Sequence, residues 1–109
     1  MENLEKLLDL DTAELNERLG AAVAAGASSL GPKALRVLGA EWLESRKESL
    51  KKLICSDPAV SSIRDDGSTA NSLALAGAIA DAISAAHSYP AVYTIAALLV
   101  KQGIDGLCP

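Results

Sequence analysis

The residues best equipped for chemistry are few, and three of them stand in a row: Asp81, Ser84 and His87. Their spacing sets them along one side of a helix, Asp81 beside Ser84 and Ser84 beside His87. A hydrolytic triad needs the imidazole between the carboxylate and the hydroxyl, touching both. Here the serine is in the middle and Asp81 is nearly two turns from His87. The order of roles fails, so no catalytic residue is assigned. The plainer reading makes His87 the residue that closes a corner before Ser88-Tyr89-Pro90. Asp81 is then a carboxylate that needs an explanation, because it is the one full charge between Ala70 and Val100. Burying it unpaired is costly. We expect it to face a polar partner near the middle of the bundle, with Arg46 or Lys101 as the cation; a subunit boundary or an exposed edge are the alternatives.

No other grouping carries a stronger signal. Two cysteines, one histidine and scattered carboxylates lack the paired spacing of a zinc or calcium site, so no metal is expected. No glycine-rich phosphate loop occurs, and no cofactor is expected. Cys55 and Cys108 lie far apart in a chain without an export-signal pattern, which favours reduced, structural thiols over a disulfide. Arg46, Lys47, Lys51 and Lys52 form a small basic cluster, but Glu41, Glu44 and Glu48 are interleaved with it. That is the pattern of a solvated, ion-paired helix face. With a formal charge of −4, it gives no support to nucleic-acid binding. Trp42, the single tryptophan, is a residue of core or interface. Trp42, Arg46, Asp81 and His87 are therefore the candidate interaction residues.

The elements that position these residues are helical. Half of the 109 residues are apolar, yet Trp42, Tyr89 and Tyr93 are the only aromatics. A core of Ala, Leu, Ile and Val suits closely approaching helices, and strong helix formers dominate throughout. We expect one all-α domain over residues 1–109, a small bundle of five to six helices. Its centre is an apolar helical hairpin over about residues 69–102, broken at Ser88-Tyr89-Pro90.

The other elements follow in chain order. Leu4, Leu7 and Leu8 mark a short amphipathic helix. Asp11 caps a second, with Glu14 placed to complete a capping box and Arg18 placed to pair with Glu14. Gly26 to Gly31 breaks the chain, and Pro32 opens the longest amphipathic segment, which runs to about Cys55 with its stripe interrupted at Ser45-Arg46. Asp57-Pro58 begins a short helix through Ile63. Arg64 to Thr69 is a turn centred on Asp-Gly, after which Ser68 or Thr69 caps the hairpin's first helix. Gly103 ends its second.

These features point to a non-enzymatic protein–protein interaction or oligomerisation module, most simply a homodimer, because the chain offers more apolar helix surface than a domain this small easily covers. A protein partner or a second copy is the expected ligand, in a cytoplasmic setting. The alternative is reversible membrane association through a Leu73–Val100 hairpin. Asp81, the alanine-rich content and the absence of a basic flank all weigh against it.

Overall fold

In the computed structural model, residues 3–24, 30–65 and 72–108 are described. They form seven helices and a closing helical turn: α1 (Leu4–Leu8), α2 (Thr12–Ala24), α3 (Pro32–Ser45), α4 (Lys47–Cys55), α5 (Pro58–Asp65), α6 (Ser72–Ala86), α7 (Val92–Gln102) and α8 (Ile104–Leu107). The fold is all-α, and no strand occurs among the described residues.

Local chemistry explains most of the boundaries. Asn3 Oδ1 accepts from the Glu5 amide at the start of α1, and Asp11 Oδ1 accepts from the Glu14 amide at the start of α2. Asp57 Oδ1 accepts from the Ala59 and Val60 amides, capping α5. Each satisfies amide donors that the first helical turn leaves open. Pro32 begins α3, where its missing N–H is harmless. The expected caps at Ser68 or Thr69, and the breaks at Gly26–Ser29 and Asp66–Thr69, lie outside the described residues. The Glu14–Arg18 ion pair is not formed; the ion pairs among the described residues are Arg36–Glu17 and Lys47–Glu44.

The long segment from Pro32 to Cys55 is two helices, not one. The Ser45 hydroxyl donates to the Trp42 carbonyl at 2.7 Å, and Arg46 Nη1 approaches the same oxygen at 3.5 Å. With that acceptor engaged by side chains, the Arg46 amide donates to Leu43 instead of continuing the α-helical register. Side-chain competition of this kind ends α3, and α4 starts one residue later.

The α6–α7 pair is the hub. α1, α2, α4, α5 and α8 each pack on one or both of its helices, whereas α3 packs on α2 and meets α4 at their junction. Ile79, Ile83, Ile95 and Leu98 are fully buried, together with Ala76, Ala96 and Ala97. Leu15, Leu19, Leu43, Leu50, Ile54 and Val60 reach in from the surrounding helices. α7 starts at Val92, one residue after Ala91, which takes a left-handed conformation (φ 52°, ψ 50°) at the corner.

α2 and α3 approach unusually closely. A Cβ at Gly20 would enter the Leu35 carbonyl, and one at Gly39 would enter the Asn16 carbonyl. Both obstacles are backbone and cannot rotate away, so glycine is what lets the two helices meet. Gly77 on α6 has open space around its Cβ position. Gly39→Ala is therefore expected to lower unfolding stability by about 1–3 kcal/mol. Gly77→Ala should raise it by roughly 0.5–1 kcal/mol, since a mid-helix glycine only adds entropy to the unfolded chain. Urea denaturation of both variants checks the contrast.

The two cysteines correct the expectation of free thiols. Cys55 at the end of α4 and Cys108 after α8 are joined in a disulfide, with their Cα atoms 5.5 Å apart. Their distance in sequence was no guide, because α8 folds back against α7 and α4.

Candidate functional site

Trp42 lies on the last turn of α3, and the α3–α4 break turns Arg46 back over it. The Arg46 guanidinium sits 4.3 Å from the Trp42 ring centroid and 5.9 Å from that of Tyr89. Its Nη1 also donates to Ser45 Oγ at 2.9 Å, which holds the side chain in that pose. Tyr89 comes from the corner between α6 and α7 and meets Trp42 edge to face, with centroids 5.1 Å apart and planes at 83°. His87 stacks on Tyr89 at 4.5 Å, nearly parallel. Its amide donates to the Ile83 carbonyl at 2.8 Å and closes α6.

Three of the four candidate residues are thus gathered into one half-buried cluster, together with Tyr89. Its order is a cation on an indole, the indole against a phenol, and the phenol against an imidazole. Among the described residues Arg46 makes no ion pair. Its positive charge is held instead by the electron-rich ring faces, an arrangement worth about 0.5–1 kcal/mol at a surface. The left-handed Ala91 follows two residues after Tyr89, so a strained backbone position lies beside the cluster.

No family model, curated protein or solved structure matches the chain. Its function must be read from its own geometry.

Asp81 stands apart from the cluster and departs from expectation. It is exposed on α6 and pairs with neither Arg46 nor Lys101. It borders an open cleft of about 460 Å³ between α6 and the start of α5, with Asp57 also on its lining. The helix turn explains this: the large row Ile79–Ile83 points inward, so Asp81 between them points out. Ser84 is exposed as well, and the Asp81–Ser84–His87 series forms no site.

Tyr89 is the member that sequence reasoning missed. Its position before Pro90 marked a corner, but nothing in the spacing linked it to Trp42.

Two measurements follow. A double-mutant cycle on Trp42→Ala and Tyr89→Ala should give a coupling of about 0.5–1.5 kcal/mol. Asp81→Leu should change unfolding stability by no more than about 0.5 kcal/mol, as for an exposed residue without a partner.

Proposed function

We propose that the protein is a non-enzymatic helical module for protein–protein association, and that the Trp42–Arg46–Tyr89–His87 face is where it makes contact. The observation that carries this reading is the cluster itself. Tryptophan, tyrosine and arginine are the residue types that dominate interface energetics, and they do so when already ordered and only part-covered. Here all three are ordered against one another at the edge of the core.

A second copy of the chain is the simplest partner. α3, which carries Trp42, has cover mainly from α2, and Val37 on that helix is 52% exposed. Leu30 just before it and Tyr93 just after the corner also keep large apolar surface in solvent. Burying exposed apolar residues of this kind between two copies would remove them from water.

The membrane alternative has less support. No helix among the described residues is long and apolar enough to cross a bilayer. Inserting the Leu73–Val100 hairpin would also withdraw Ile79, Ile83, Ile95 and Leu98 from the core they build. The Cys55–Cys108 bond favours an oxidising compartment over the cytoplasmic one expected from the sequence.

Sedimentation equilibrium over the micromolar range tests the reading. Concentration-dependent dimerisation is expected, weakened at least tenfold by Trp42→Ala or Arg46→Ala and unchanged by Asp81→Asn. A strict monomer throughout that range would overturn the self-association reading.

A further inference from the structure

The two ends of the disulfide are unequally placed. Cys55 keeps part of its surface in solvent, whereas Cys108 is 3% exposed. Between α7 and Cys108 lies α8, only four residues long and too short to be stable alone. It hangs from Gly103, whose backbone (φ 99°, ψ 107°) is one that residues with a β-carbon rarely adopt. Nothing lies within 4 Å of the Cβ positions of Gly103 or Gly106, so no neighbour wedges the backbone there.

Among the described residues, α8 is held on the body by a short set of contacts. Ile104 and Cys108 enter the core, and Leu107 packs against it half-buried. Arg64 Nη2 donates to the Cys108 carbonyl at 2.7 Å. Beside α8 runs a cleft of about 220 Å³ that reaches Lys47 on α4 and Leu99 and Gln102 on α7. Without the covalent bond, these contacts would have to offset the entropy of ordering residues 103–108. Terms of that size nearly cancel.

We propose that α8 is a redox-latched lid. The Cys55–Cys108 bond holds it shut over the ground between α4 and α7, and reduction lets it swing out about Gly103. The reductant is a small dithiol. One of its thiolates attacks Cys55 Sγ, on the half of the bond whose residue keeps part of its surface in solvent; the sulfur–sulfur bond breaks, and Cys108 leaves as a thiolate and takes up a proton. The second sulfur of the dithiol then displaces Cys55 from the mixed disulfide. The protein gains two electrons and two protons, and the dithiol becomes a cyclic disulfide. In oxidising surroundings the lid is closed; on meeting such a reductant it opens and uncovers apolar surface beside Leu99.

Hydrogen exchange of the full chain, with and without dithiothreitol, tests the lid, with alkylation counting the free thiols. After reduction, the amides of Gly106 and Cys108 should exchange at least tenfold faster, while α2, α6 and α7 keep their protection. The Cys55→Ser/Cys108→Ser variant should show the same pattern without reductant. Unchanged protection in α8 after reduction would overturn the proposal. So would protection lost together across α4, α6 and α7, or a variant that fails to fold, since the bond would then be a staple of the whole fold. A bond that dithiothreitol cannot reach in the folded protein would overturn it too.

Discussion

A core without phenylalanine imposes the condition on which the rest of this structure depends: the helices must come close enough for alanine, leucine and isoleucine to fill the space between them. The α6–α7 pair meets that condition with Ala76, Ala80, Ala96 and Ala97 set among Ile79, Ile83, Ile95 and Leu98. α2 and α3 meet it more severely, at the crossing of Gly20 with Gly39, where any side chain would strike backbone. Interiors packed this way leave little slack, and a single added methyl at that crossing is felt.

With the core made of small and branched aliphatic groups, the aromatic residues are left for other work. Trp42 and Tyr89 do not fill the interior. They meet at its edge, and Arg46 lies over them. The break between α3 and α4 makes this possible, because the side chains that take up the Trp42 carbonyl also fix the guanidinium over the indole. One local event therefore shortens a helix and assembles the aromatic–guanidinium cluster.

Much of this was legible in the sequence where the cause is local. Asp11, Asp57, Pro32 and Gly103 mark helix ends by chemistry that acts within a turn, and each marks one in the structure. The apolar run after Ala70 had to be central, and it is. The gap at Ser45-Arg46 showed that something happens there, but a bend and a break look alike in a pattern of apolar residues. What depends on distant pairs stayed hidden. Cys55 and Cys108 are 53 residues apart in sequence, and nothing in either neighbourhood announces the other. Tyr89 and Trp42 are related in the same way. Asp81 was misread because its isolation in an apolar stretch looked like burial, when the turn of α6 sets it on the outer side.

Trp42 is the chain's single tryptophan, so its fluorescence reports on the proposed contact face directly. The most direct measurement is the emission maximum of Trp42 over a dilution series from high micromolar to nanomolar protein. Association through this face predicts a shift to longer wavelength on dilution, as the ring returns to water, and loss of that shift in Arg46→Ala. An emission maximum that stays constant across the series would contradict self-association through Trp42.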